Sequence, residues 1–211
     1  MSPLRLPTFL FGTLAVWGIG GCALLSKSAP ITPRYFSPER PGDVPLSAPR
    51  HRGPPQELRL GRVDSAANLE EMLIFRDSAS EIGYYRERRW TEAPEQYLRR
   101  RLARVLFEER GLREVVGGDG PTLDVQLTAF EEARVPRRMA RVQVIVRLQD
   151  GRLVKWEETV TAEEPVAVTA GVDEADASVA AIGTALRAAV DVIADRVVLE
   201  LTVAPSAPNG R

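Results

Sequence analysis

Val142-Gln-Val-Ile-Val-Arg-Leu-Gln-Asp-Gly-Arg-Leu-Val-Lys-Trp156 places four alternating apolar residues, Val142, Val144, Val146 and Leu148, ahead of Asp150-Gly151. Alternation with period two marks a half-buried strand, and Asp-Gly between two such runs marks a hairpin. The register follows from which residues it sets side by side. A two-residue loop puts Val146 beside Lys155 and Val144 beside Glu157. A three-residue loop, Gln149-Asp150-Gly151, puts Val146 beside Val154 and Val144 beside Trp156. The second pairs apolar with apolar, so the spacing predicts a type I turn with Gly151 in a left-handed bulge position.

Working outward, Leu123, Val125 and Leu127 alternate with Asp124, Gln126 and Thr128 in a second half-buried strand. Leu58–Val63, Met72–Phe75 and Leu112–Val116 read as short strands. Glu81–Trp90 reads as a longer one, with Ile82, Tyr84 and Trp90 on one face and Tyr85 on the other. Two helices complete the pattern. The first starts near Thr91–Pro94, where a proline in the first turn loses no hydrogen bond. Its core stripe is Leu98, Leu102, Val105 and Leu106, and Gly111 ends it as a left-handed cap. The second runs from Asp173 or Asp176 to Val197, with Val179, Ile182, Leu186, Ala189, Val190, Ile193 and Val197 on one stripe. Its many alanines permit close packing on a sheet. The expected fold is α+β: an antiparallel sheet with two long helices packed on one face, preceded by a Pro-rich tether.

The N-terminus carries a different signal. Arg5 precedes an apolar run, Phe9–Ile19, within the ~7–15 residues of a secretory h-region and short of the ~20 needed to span a bilayer. Ile19-Gly20-Gly21-Cys22 then matches a bacterial lipobox, and Cys22 is the only cysteine. Residues 1–21 are expected to be a lipoprotein signal peptide and Cys22 to carry acyl chains, which suffice for stable anchoring when there are two or more. A buried apolar segment with an ordinary cysteine and a conventionally cleaved export signal are the competing readings. Ala23 stands where an Asp tends to retain lipoproteins in the inner membrane, which favours the periplasmic face of the outer membrane. Residues 22–57 hold eight prolines and read as a tether with a short strand at 34–36. The domain is expected over 58–203 and a frayed tail over 204–211.

Composition narrows the chemistry. Charge is balanced, 28 basic against 29 acidic residues, so no nucleic-acid surface is expected. His51 is the only histidine and the one thiol is assigned to lipid, which leaves little for a nucleophile system or a zinc site. No catalytic residue, metal or cofactor is expected. Gly117–Gly120 lacks the strand–loop–helix context of a phosphate loop. Glu131-Glu132, Glu157-Glu158 and Glu163-Glu164 lie on strands, where neighbours point to opposite faces, so no doublet makes a convergent carboxylate pair; solvated strand faces are the expectation. Arg99–Arg101 with Arg104 fits the wet side of a helix. Tyr84, Trp90 and Trp156 are candidates for lipid or partner contact, with core packing as the competing role.

Several segments in order resemble the ABC-type transport auxiliary lipoprotein family: Leu58–Val63; Tyr84–Trp90 leading into Ala93-Pro94; Leu123–Leu127 with Ala129-Phe130-Glu131; Ala140-Arg141-Val142; Thr161-Ala162-Glu163 with Pro165-Val166; and the lipobox. A second proline usually stands at Ala93. The resemblance spans about Tyr35 to Leu201. It implies a non-enzymatic periplasmic domain that serves an MCE-type intermembrane lipid transport system, partnered by an MCE-domain protein and an ABC permease and ATPase, and it allows a homo-oligomeric ring. A periplasmic lipid-binding module and a structural or assembly lipoprotein unrelated to transport are the alternatives.

Overall fold

The computed structural model describes residues 32–39, 55–171 and 173–203. The signal segment, Ile19, Gly20, Gly21, Cys22, most of the tether, His51 and the tail from 204 lie outside these. Eight strands run in the order β1 (Arg34–Phe36), β2 (Glu57–Ser65), β3 (Met72–Arg76), β4 (Ile82–Trp90), β5 (Arg113–Glu114), β6 (Thr122–Ala133), β7 (Met139–Asp150) and β8 (Leu153–Pro165). Helix α1 (Pro94–Ala103) follows β4, and α2 (Glu174–Thr202) follows β8. The fold class is α+β, as the patterning required.

The sheet is built on β6 and β7. β6 pairs antiparallel with β7 along its whole length, and β7 pairs antiparallel with β8. On its other edge β6 takes two partners in succession: β2 beside 122–127 and β3 beside 131–133, both parallel. A register shift in β6 between Leu127 and Ala129 marks the change of partner. β4 pairs antiparallel with β3, and the short strands β1 and β5 lie parallel to β4 and β2. The sheet is therefore mixed. Alternation reports which face is buried and is silent on strand direction, so the parallel pairings had no signature in the sequence.

Both helices cover one face. Ala140, Val142, Val144, Val146 and Leu148 of β7 are buried, as are Leu123, Val125 and Leu127 of β6. The predicted stripe of α2, from Val179 to Val197, is buried against them. That helix is apolar and long enough to cross a membrane, but most of its apolar window is covered by the sheet and α1. Asp173 caps it by accepting from the Ala175 N–H at 2.7 Å. α1 begins with Ala93 at the cap and Pro94 in the first turn, and buries Leu98 and Leu102. The helix then widens into a π-helical segment, Arg104–Glu109, which buries Val105 and Leu106; Gly111 follows at φ 71°. On the opposite sheet face, polar ladders cross β7 and β8: Arg147–Glu157 at 3.0 Å, Gln143–Thr161 at 3.0 Å and Arg141–Glu163 at 2.8 Å.

Three local expectations are corrected. The β7–β8 turn is a tight two-residue turn, Gly151-Arg152, with Asp150 opposite Leu153 and Gly151 at φ 57°. The extra residue sits inside β8, where Lys155 bulges between Val154 and Trp156. That bulge returns Trp156 and Val160 to the buried face opposite Leu148 and Val144. Apolar matching is thus achieved by a bulge in the strand rather than in the turn. Second, in β4 the stretch Tyr84–Arg89 faces only Met72–Ile74 of β3. This irregularity puts Tyr84 and Trp90 on opposite faces. Third, Leu112–Val116 contributes only two strand residues, Arg113-Glu114.

The strand at 34–36 joins the sheet beside Arg88–Trp90. The residues after it cross α2 where Gly183 leaves no Cβ; a methyl there would drive into the Pro38 carbonyl oxygen. Gly183→Ala gains about 1 kcal/mol of helix propensity but forces backbone apart, at a cost of about 1–3 kcal/mol. The expected net effect is a lowered urea midpoint. An unchanged or raised midpoint would show that Pro38 is not held against the helix.

Candidate functional site

Residues 34–39 form a strap that ties the N-terminal chain to sheet and helices. Arg34 pairs with Asp173 at 2.6 Å. The hydrogen bond from Arg34 and that from the Ala175 N–H hold the Asp173 carboxyl below the ordinary carboxylate range. Phe36 is buried beside Trp90, and Glu39 pairs with Arg100 of α1 at 2.8 Å. Pro38 borders two shallow grooves on α2, each about 360 Å³: one with Pro165, Ala177, Ala181 and Thr184, the other with Tyr35, Phe36 and Val179. Both are open to solvent and include Asp176, so neither is the enclosed apolar cavity that sequesters a lipid chain.

A second cluster joins β3, β4, β6, the β6–β7 loop and α2. Glu131 and Glu132 point to opposite faces, as adjacent strand residues must, but neither is solvated: each is only 1 % exposed. Glu131 receives Arg76 through Nε at 2.6 Å and Nη2 at 3.1 Å. Glu132 accepts from Arg138 Nε at 2.6 Å, Tyr85 Oη at 2.8 Å and Ser178 Oγ at 2.8 Å. Arg138 also reaches Glu174 at 3.1 Å, and Arg134 donates to Tyr85 Oη at 2.9 Å while lying over the Phe75 ring. Burial pushes the Glu132 carboxyl up, but the hydrogen bonds from Arg138, Ser178 and Tyr85, with the Arg138 charge, outweigh it and hold the group below 4.5. Burial raises the Tyr85 hydroxyl. A carboxylate so fully engaged has no lone pair aimed at solvent, and this cluster is a clamp rather than an acid or base. The only hint in the sequence was an acidic doublet among arginines, a pattern that solvated strands share.

The three candidate aromatics are not brought together. Trp90 is sealed in the core against Phe130 at 5.0 Å and Tyr97 at 6.2 Å. Tyr97 is itself satisfied by Thr91 Oγ1 at 2.6 Å and the Glu92 N–H at 3.1 Å. Trp156 is buried under α2, donates Nε1–H to Glu158 at 3.0 Å and is covered by the Arg196 guanidinium. Tyr84, 38 % exposed, lies on the opposite sheet face. Large apolar side chains do reach solvent on these elements: Leu153 and Val154 on β8 and Val192, Leu199 and Val203 on α2. No group of three His, Cys, Asp or Glu among the described residues is placed to hold a metal ion.

Two measurements separate these roles. Trp90→Ala should destabilise the domain by about 3–5 kcal/mol, and Tyr84→Ala by less than about 1 kcal/mol, both read from denaturant unfolding; similar losses at the two positions would contradict the division into core and surface. Glu132→Gln should lose about 2 kcal/mol at neutral pH, the worth of a charged hydrogen-bonded group. Because the folded carboxyl titrates below 4.5, its contribution is complete above that value and disappears as pH falls through the depressed one. The gap between wild type and variant should therefore narrow as pH falls below the ordinary carboxylate range and close once the depressed group is protonated; a constant gap would mean that the charge is not what stabilises.

A crystal structure of a protein from Xanthomonas campestris superposes with a TM-score of 0.64 at 15% identity, covering 79% of this chain and 96% of that one. A hypothetical protein from Chlamydia trachomatis gives 0.51 at 11% identity, covering 71% and 99%. At such identities the likeness concerns the fold. No curated protein matches the chain. The family model of the ABC-type transport auxiliary lipoprotein component matches residues 42–194, which takes in β2 to β8, α1 and most of α2. With more than half of its length matched, this chain belongs to the ABC-type transport auxiliary lipoprotein component family.

Proposed function

We propose that this is a non-enzymatic accessory lipoprotein of an ABC/MCE-type intermembrane lipid transport system. It is held at the periplasmic face of the outer membrane by acylated Cys22 and docks on the transporter, coupling it to that membrane. Family membership over 42–194 carries the reading. The lipobox Ile19-Gly20-Gly21-Cys22 supports the anchor, and Ala23 supports the outer membrane. The apolar side chains exposed on β8 and α2, among them Leu153, Val154 and Leu199, offer contact points for docking. The partners are an MCE-domain protein and the ABC permease and ATPase, with a homo-oligomeric ring as the form of the docked protein.

Cys22→Ser is expected to leave the domain folded and to release it from the membrane fraction, because loss of the acyl chains removes the apolar area that holds it; a variant still membrane-bound at high salt sinks the anchor. Crosslinking the mature protein in intact cells and pulling it down should recover MCE and ABC components. Recovery of phospholipid without them would favour a lipid-binding module, and recovery of neither a structural lipoprotein.

A further inference from the structure

We propose that the end of the domain formed by the β6–β7 loop and the loop before α2 lies against the bilayer, with Val135 and Val168 in contact with the lipid surface. The proposal rests on the anchor at Cys22.

Four features converge at this end. The strap enters there: Arg34 pairs with Asp173, the N-cap of α2. β1 runs parallel to β4, so Thr32 and Pro33 lie toward the start of β4 and the 77–81 turn. Arg134 joins that turn through Asp77 at 3.4 Å, and the Val166 N–H donates to the Arg138 carbonyl at 3.1 Å. Thus 77–81, 134–138 and 166–171 share one end, and the incoming chain beside Arg88 heads toward it. Two apolar side chains stand out from it, Val135 at 63 % and Val168 at 48 % exposure, beside the exposed Pro136 and Arg137. Valines in loop tips next to an arginine suit the boundary between acyl chains and phosphate headgroups.

The length of chain selects the occupant. The tether read over 22–57 includes the strand at 34–36, and with that strand paired in the sheet only the twelve steps from Cys22 to Arg34 remain outside the domain. At ~3.3–3.6 Å per residue they reach at most about 40 Å. β6 and β7, twelve residues each, are themselves about 40 Å long at ~3.3 Å per residue. The Val135 end can rest on the membrane with the chain relaxed. The opposite end, with Leu153 and the 151–152 turn, lies on the side away from which Thr32 and Pro33 point, so it could touch the membrane only with the chain doubled back and drawn out along the domain, which forfeits conformational entropy. A short anchor also keeps the local concentration of membrane high, so weak apolar contacts suffice.

Acylation of the only native thiol leaves an introduced cysteine unique. Full-length acylated protein carrying a fluorophore at Val135→Cys, Val168→Cys or Leu153→Cys would be reconstituted in phosphatidylethanolamine–phosphatidylglycerol vesicles containing a headgroup-proximal lipid quencher. Most of the emission should be lost at 135 and 168 and none at 153. Equal quenching at all three, quenching at 153 alone, or none at 135 and 168 in protein that floats with the vesicles would overturn the orientation while sparing the anchor. Acylated protein that fails to float would remove the anchor and this inference together.

Discussion

The apolar stripe of α2 lies along β6, β7 and β8, and most of the molecule is arranged around that contact. β7 contributes five consecutive inward residues from Ala140 to Leu148, all buried. Ala185, Ala189 and Ala194 let the helix approach them closely, and Val190, Ile193 and Val197 fill the space between. Burial of a Val, Leu or Ile side chain is worth about 1.5–3 kcal/mol, so this one layer supplies much of the favourable free energy of the fold. α1 and its π-helical continuation pack beside α2, and Arg110 fastens the two through Asp195 at 2.9 Å.

What surrounds that layer consists of polar fasteners. Glu132 sits under α2 with three donors, one from the helix, one from β4 and one from the end of the β6–β7 loop. A buried charge left without partners costs several kcal/mol, so this carboxylate ties those elements to fixed relative positions. The strap acts similarly at lower burial, through Arg34, Pro38 and Glu39. Together they place the point where the N-terminal chain enters the domain, a position that matters for a protein held in the cell envelope by its N-terminus. The grooves beside the strap are shallow and open, and the exposed apolar side chains are distributed over the loops, β8 and α2.

The residues that carry the core were readable because burial imposes a period. Val142 to Leu148 and Val179 to Val197 repeat at two and at three to four residues, and all of them are buried. Pro94, Gly111 and Asp173 acted as expected because each answers a local requirement of a helix end. The turn differs from the expectation because more than one bulge placement sets apolar residues side by side: a bulge at Lys155 matches Trp156 with Leu148 and Val160 with Val144, as a bulge in the turn would match Trp156 with Val144. Tyr84 was placed with Trp90 because an irregularity in β4 reverses the alternation between them. Glu131 and Glu132 were read as solvated because their partners, Arg76, Arg138 and Ser178, come from elements distant in the chain.

The sequence by itself determined the fold class, the two helical stripes and the helix ends at Pro94, Gly111 and Asp173, since each depends on residue identity within a few turns of chain. Only the tertiary structure decided the parallel pairing of β2 and β3 with β6, the burial of both carboxylates, and the choice of β4 as partner of the 34–36 strand. These depend on which distant segments meet, and local periodicity carries no information about that. The last of them fixes where the N-terminal chain enters the domain, because Arg34–Phe36 is held by a strand more than fifty residues away.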